Sequence, residues 1–153
     1  MVRVMATGVF DLLHPGHVHY LMEARKFGDE LVVVVARDST ARRFKHEPII
    51  REEDRHRMVA ALKPVDEAVL GNEGDIFAIL PTIRPDVIAL GYDQVHDEAR
   101  ILKECRARGL PDTRVVRCPK FEGDLDGTRR IISRVGEYLA LQGRLKEFEG
   151  AVK

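Results

Sequence analysis

The hydrophobic positions of this chain alternate between short β-branched runs and longer amphipathic segments. Residues 31–36 are apolar throughout (Leu-Val-Val-Val-Val-Ala), which is typical of a strand buried on both faces of a parallel sheet. Residues 17–26 instead place Tyr20, Leu21 and Ala24 on one face, which predicts an amphipathic helix. The same reasoning predicts strands at 2–7, 31–36, 67–70, 86–90 and 113–117, and helices at 17–26, 51–62, 75–80, 98–108 and 128–146.

The regular alternation of strands and helices predicts a single α/β domain over residues 1–153. Because the connections are short, we expect right-handed βαβ units and a Rossmann-like, doubly wound, five-stranded parallel sheet with helices on both faces. Sheets of this type bind ligands beyond the carboxyl ends of their strands, where the strand order reverses. We therefore expect the ligand-binding residues in the loops that follow the strands, at 8–16, 37–51, 91–97 and 118–127.

The balance of charged residues argues against two classes of binding partner, nucleic acids and anionic membranes. The 25 Lys and Arg residues equal the 25 Asp and Glu residues, so the formal net charge is zero. A protein that binds nucleic acid or an anionic membrane usually carries a basic excess, so we expect neither partner. The start of the chain has no secretory pattern, and Cys105 and Cys118 form no paired motif, which together favour reduced thiols and a cytoplasmic location.

The loop after the first strand carries the strongest chemical signal. Residues 8–17 read Gly-Val-Phe-Asp-Leu-Leu-His-Pro-Gly-His and lead into a helix, whose free N–H groups and positive dipole end suit a phosphate. His14 and His17 stand three residues apart across this turn, so both can donate towards one anion. We expect Gly16 to let the backbone approach the ligand closely. On these residues alone, a metal-binding pair or a capping histidine remains an alternative.

The whole string at residues 8–17 resembles the GxFDxxHxGH signature of the cytidylyltransferase-like branch of the HxGH nucleotidyltransferases, and the resemblance extends over residues 2–138. It implies that a phosphate oxygen attacks the α-phosphorus of a nucleoside triphosphate in line and releases pyrophosphate. His14, His17 and Lys45 are then the catalytic residues. Mg²⁺ would be carried by the nucleotide, with no metal site of the chain's own, and Asp11 would orient the phosphate loop or a metal. The alternative for Lys45 is one solvated lysine among other basic residues.

The resemblance also assigns the nucleotide-binding residues. The family has an Ile-Ser-Thr-Ser/Thr motif at the start of the last helix, and here Thr128 matches it while Gly127 and Arg129 replace hydroxyl residues. Gly127 can still offer backbone N–H groups and Arg129 a charge; the alternative is a capped helix with a basic face. Arg55 matches a family arginine that lines the nucleotide site, and otherwise would be a surface arginine. The complete expected set is Thr7, Gly8, Val9, Phe10, Asp11, Gly16, Arg55, Asp93, Gly127, Thr128 and Arg129.

Residues 91–94 indicate the substrates. They read Gly-Tyr-Asp-Gln, where glycerol-3-phosphate cytidylyltransferases have Gly-Asp-Asp-Trp, and this form resembles the archaeal-type FAD synthases of the same family. That resemblance implies transfer of AMP from ATP to FMN. The flat ring of FMN needs an apolar or aromatic wall, for which Phe44 and Tyr92 are the candidates on the cleft loops, with a plain packing role as the alternative for each. Gln94 completes the expected substrate-binding set. The alternatives are a cytidylyltransferase that makes a CDP-alcohol such as CDP-glycerol from CTP, and a nucleotide-binding sensor without catalysis. Similar enzymes are often homodimers, so we expect a homodimer.

Overall fold

The computed structural model describes residues 1–152 and contains a five-stranded, fully parallel sheet. The strands lie in the order β3-β2-β1-β4-β5, so the winding direction reverses between β1 and β4. This confirms the predicted doubly wound architecture. The elements are β1 (Arg3–Gly8), α1 (Pro15–Arg25), β2 (Glu30–Val35), α2 (Asp38–Phe44), α3 (Glu52–Ala60), β3 (Glu67–Leu70), α4 (Leu80–Ile83), β4 (Val87–Leu90), α5 (Glu98–Ala107), β5 (Arg114–Arg117) and α6 (Thr128–Val152).

Two hydrophobic cores cover the two faces of the sheet. Successive side chains of a strand point to opposite faces, so Val4 of β1 packs into one core and Met5 into the other. The first core also receives Leu21 from α1 and Val59 from α3, whereas the second receives Ile101 from α5 and buried residues of α4. The prediction of helices on both faces is confirmed.

Helix α2 lies in a segment that we predicted to be a loop. Its sequence, Asp-Ser-Thr-Ala-Arg-Arg-Phe, contains Ser39 and Thr40, which are weak helix formers. The helix is held by tertiary contacts instead: the Glu52 carboxylate accepts a hydrogen bond from the Asp38 backbone N–H at 3.1 Å. A partner fourteen residues away compensates for the low local propensity.

The helix predicted at residues 75–80 is displaced. Asp75 accepts a hydrogen bond from the backbone N–H of Phe77 at 2.9 Å and closes a turn rather than capping a helix. The regular helix α4 begins at Leu80 with Pro81 in its first turn, where proline is favoured. It ends at Ile83, and the next residue, Arg84, has a left-handed backbone with φ 53°.

Two further helices differ from the predicted pattern. In α3, whose apolar residues would be expected to face the core, Met58 is exposed and Arg55 occupies the buried side together with Val59. Helix α6 continues from the predicted start at Thr128 to Val152, beyond the predicted end. It carries several exposed apolar side chains. Among the helices within residues 1–152, none is both long enough and apolar enough to cross a membrane.

Candidate active site

An open cleft of about 680 Å³ lies beyond the carboxyl ends of β1, β4 and β5. The starts of α1 and α6 border it, as expected at the point where the strand order reverses. All of the predicted site residues except Arg55 line this cleft. Its lining is Thr7, Gly8, Val9, Phe10, Asp11, His14, Gly16, His17, His19, Tyr20, Phe44, Lys45, His46, Gly91, Tyr92, Asp93, Gln94, Cys118, Pro119, Phe121, Asp126, Gly127, Thr128, Arg129 and Arg130.

The two histidines of the first loop form a reciprocal cap on α1. His14 is the N-cap residue, and its Nδ1 accepts hydrogen bonds from the backbone N–H groups of Gly16 at 3.1 Å and His17 at 3.4 Å. The Nδ1 of His17 accepts in return from the His14 backbone N–H at 3.3 Å. Because an accepting Nδ1 carries no proton, the neutral form of each ring has its proton on Nε2. Each imidazole therefore keeps an Nε2–H donor that the cap does not use.

Both imidazoles are uncharged near neutral pH. Burial is the main cause that lowers the pKa of His17 to about 3, and the proximity of His14 and Lys45 acts in the same direction. Burial also lowers the pKa of His14, although the Asp126 charge, a hydrogen bond with the Leu125 backbone and the Asp93 charge oppose that shift. The rings stack with their centroids 3.7 Å apart, which two charged imidazoles would resist. The pair can therefore stabilise an anion through hydrogen bonds rather than through positive charge.

Asp11 ties three segments of the cleft together. Its buried carboxylate accepts hydrogen bonds from the backbone N–H groups of Ile49 at 2.9 Å and Ile50 at 2.8 Å. Its backbone carbonyl accepts from the hydroxyl of Thr128 at 2.9 Å. The carboxylate thus orients the loop that follows α2, and the Thr128 hydroxyl proton is directed at the protein.

The start of α6 faces the start of α1 at close range. The Gly16 backbone N–H donates to the Leu125 carbonyl at 3.1 Å, and a Cβ on Gly16 would lie 3.0 Å from the Asp126 backbone. Gly16 is therefore needed for contact between protein segments rather than with a ligand alone. On the α6 side, Gly127 has open space around it and exposed Arg129 points out of the first turn. This first turn offers backbone N–H groups and a cation to a phosphate.

The loop 91–94 is held by Gln94, which was predicted to bind substrate, and by Arg117. The Gln94 amide donates to the Thr7 carbonyl at 2.9 Å, and its oxygen accepts from the Gly91 backbone N–H at 2.7 Å. Arg117 adds hydrogen bonds to the Gly91 and Gln94 carbonyls. Both ends of the Gln94 amide are thus engaged by the backbone, which makes the residue a support for the cleft floor.

Aromatic and basic side chains stand at the mouth of the cleft. Phe44 is exposed, with the Arg43 guanidinium 4.5 Å from its ring centroid, and Lys45 follows it at the end of α2. Tyr92 is partly exposed, with the Lys120 ammonium 5.7 Å from its ring centroid. Two flat apolar surfaces with cations beside them therefore flank the opening, an arrangement suited to a planar anionic ligand.

Arg55 is the one predicted site residue that lies apart from the cleft. Its side chain is fully buried, and its guanidinium donates to the carbonyls of Val9, Ala36 and Ile50 at 2.7–2.8 Å. It also pairs with the Asp38 carboxylate at 2.7 Å. Both expectations for Arg55, a nucleotide ligand or a surface residue, therefore disagree with its placement. Arg55 connects the loop after β1 to α2 and α3 through these hydrogen bonds.

Several residues that line the cleft were not predicted from the sequence. His19 and Phe121 face each other with ring centroids 5.4 Å apart, and partly buried Tyr20 donates from its hydroxyl to the Ala89 carbonyl at 2.6 Å. His19 and Tyr20 follow the HxGH string within α1, where their side chains read as ordinary helix positions. The loop 118–127 after β5 was predicted to lie at the ligand-binding edge of the sheet. Phe121 within it was not singled out, because its contacts depend on the strand order.

Comparison with known proteins agrees with this geometry. Residues 5–114 match the family model described as "Cytidylyltransferase-like". An FAD synthase of Aciduliprofundum boonei is 60% identical over 88% of this chain and 91% of its own length, and one of Archaeoglobus profundus is 52% identical over 97% and 94%.

Comparison with solved structures points to the same family. A crystal structure described as the lipopolysaccharide core biosynthesis protein of Thermoplasma volcanium is 52% identical, with a TM-score of 0.76 over 80% of this chain and 99% of that one. Pantothenate synthetase of Thermus thermophilus, at 16% identity and a TM-score of 0.54, shares the fold. The chain belongs to the cytidylyltransferase-like family of nucleotidyltransferases and groups within it with the archaeal FAD synthases.

Proposed function

We propose that this chain transfers the AMP group of ATP to the phosphate of FMN, giving FAD and pyrophosphate. The observation that carries the proposal is the pair of neutral, stacked imidazoles at the start of α1, which faces the start of α6 across the cleft. Such a pair provides donors for a phosphorus centre without needing a nucleophilic side chain. The choice of ATP and FMN is supported by the relatives named FAD synthase.

In this mechanism an FMN phosphate oxygen attacks the α-phosphorus of ATP. As the new P–O bond forms, the bond between the α-phosphorus and the bridging oxygen of the pyrophosphate breaks. His14 and His17 donate from Nε2 to the oxygens on which charge increases. The first turn of α6, with Gly127 and Arg129, holds the departing pyrophosphate, and Lys45 neutralises the FMN phosphate.

We further propose that Mg²⁺ enters with ATP as part of the substrate and reduces the negative charge of the triphosphate. The Asp11 carboxylate already holds Ile49 and Ile50, so we assign it to orienting the loop. Phe44 and Tyr92 flank the flavin ring at the mouth of the cleft. Their exposed rings and neighbouring cations support this placement.

We also propose that the protein works in the cytoplasm as a homodimer. Free, buried Cys105 and Cys118 are consistent with a reducing compartment. Support for self-association comes from α6, where apolar side chains at spacings of three, four and seven residues lie along one side and are exposed. They are Ile132, Val135, Tyr138, Leu139 and Leu145, the α6 stripe.

The substrate assignment is tested by incubating the protein with FMN, Mg²⁺ and either ATP or CTP under reducing conditions, and by resolving the flavins chromatographically. We expect FAD with ATP and far less dinucleotide with CTP. A parallel reaction contains CTP and glycerol phosphate. Formation of CDP-glycerol without any flavin dinucleotide would replace this proposal with a cytidylyltransferase.

A further inference from the structure

Phe10 has a backbone conformation that side-chain-bearing residues rarely adopt. Its φ is 56°, in the left-handed region where a Cβ crowds the chain. Both neighbouring residues are fixed by long-range hydrogen bonds: the Val9 carbonyl by Arg55 at 2.7 Å, and the Asp11 carboxylate by Ile49 and Ile50. Strain that the surroundings enforce in this way tends to concentrate at functional sites.

The strained backbone places the Phe10 ring against His17. The two ring centroids are 5.4 Å apart in an edge-to-face arrangement, and Phe10 meets Tyr20 in the same manner at 6.4 Å. A Cβ on Gly8 would lie 2.9 Å from Cζ of Phe10, so glycine is the residue that leaves room for this ring. Gly8 and the left-handed Phe10 therefore act together.

His17 is in contact with both Phe10 and His14, and its Nδ1 is held by the His14 backbone N–H. Its position is thus determined by two rings and one hydrogen bond. Phe10 itself is only 5% exposed, which leaves little of its surface for a ligand. The ring is a wall behind the histidine rather than a contact for the nucleotide.

We propose that Phe10 is a positioning residue, which fixes the His17 ring so that its Nε2–H points at the reacting phosphate and which keeps water away from that ring. This inference rests on the proposed nucleotidyl transfer for its catalytic meaning, and it replaces the expectation that Phe10 binds nucleotide. The substitution Phe10→Leu keeps apolar bulk but removes the aromatic edge.

The test combines kinetics with an NMR titration of the histidine Cε1–H signals, in which His17 is identified by its loss in His17→Gln. In Phe10→Leu we expect kcat to fall by about 10- to 100-fold, because a small displacement of a reacting group is costly, while KM for ATP changes little. The pKa of His17, about 3 in the native protein because of burial, should rise towards its ordinary value of 6.5. Gly8→Ala, which displaces the ring without removing it, should shift both readouts in the same direction.

Val33→Ala is the matched control, because Val33 lies in the same core as Phe10 but outside the cleft lining. We expect it to lower stability and to leave the kcat and the His17 titration unchanged. The proposal is overturned if folded Phe10→Leu or Gly8→Ala protein keeps both native values, or if Val33→Ala reproduces the changes. Should the native protein make no FAD, the proposed function fails, and the titration still decides whether Phe10 controls His17.

Discussion

His14 and His17 each use one ring nitrogen to hold the backbone and keep the other for the cleft. The cap fixes the tautomer, and burial removes the charge, so the sequence string HPGH produces two oriented neutral donors. A charged pair would bind the triphosphate more strongly before reaction. Neutral donors instead favour stabilisation that increases as charge develops on the phosphate oxygens.

Replacing His17 tests that assignment. We expect His17→Ala to lower kcat for FAD formation by about 10²–10³-fold, which is the usual effect of losing one preorganised donor, and to change KM for ATP much less. His56→Ala is the control, since His56 contacts the Ala68 carbonyl and lies outside the cleft lining. Steady-state kinetics with native-like turnover in His17→Ala would contradict the proposed role.

The lowered pKa of His17 also predicts a pH dependence of stability. Its pKa is about 3 when folded and 6.5 ordinarily, so between these values the unfolded chain binds a proton that the folded chain excludes. The free energy of unfolding should therefore fall as the pH drops below about 6.5. In His17→Gln the loss between pH 6.5 and pH 4.5 should be smaller by about 2 kcal/mol, measured by urea unfolding. Equal losses in the two proteins would show that His17 is not held neutral by the fold.

At the scale of elements, Arg55 joins the loop after β1 to α2 and α3 through four hydrogen-bonding partners. Lysine offers a single nitrogen in place of the planar guanidinium. We expect Arg55→Lys to lower the free energy of unfolding by about 3 kcal/mol. It should also lower kcat, because the loop after β1, which contains Phe10, loses hydrogen bonds that hold it in place. Arg57→Lys, an exposed position on the same helix, is the control for thermal melting and kinetics. Equal melting temperatures would contradict the role of Arg55.

The sequence was most informative where local pattern decides the structure. The β-branched runs predicted all five strands, and the HPGH string predicted a helix start with two histidines in the cleft. It was least informative where contacts between residues far apart in the sequence determine the structure. Helix α2 depends on Glu52, and Arg55 is buried only because three separate carbonyls converge on it. Neither fact has a signature within a short window of sequence.

At the scale of the whole molecule, the α6 stripe predicts self-association. A stripe of exposed apolar side chains on a long helix is favourable only when it is covered. We expect the native protein to sediment as a dimer, and Val135→Glu, which places a charge within the stripe, to sediment as a monomer. Arg144→Glu, on the opposite side of α6, should remain dimeric. A native protein that sediments as a monomer would contradict the homodimer.

The hydrogen bond between Thr128 and the Asp11 carbonyl joins residues that are 117 positions apart. During synthesis residues 8–17 leave the ribosome well before the start of α6 does. The sheet can therefore form on a growing chain before the cleft has its second wall. A nascent or truncated chain that ends before residue 128 would retain strands and both histidines, yet would lack the segment that we propose to hold the pyrophosphate. We therefore expect recovery of FAD formation after dilution from denaturant to lag behind recovery of sheet structure.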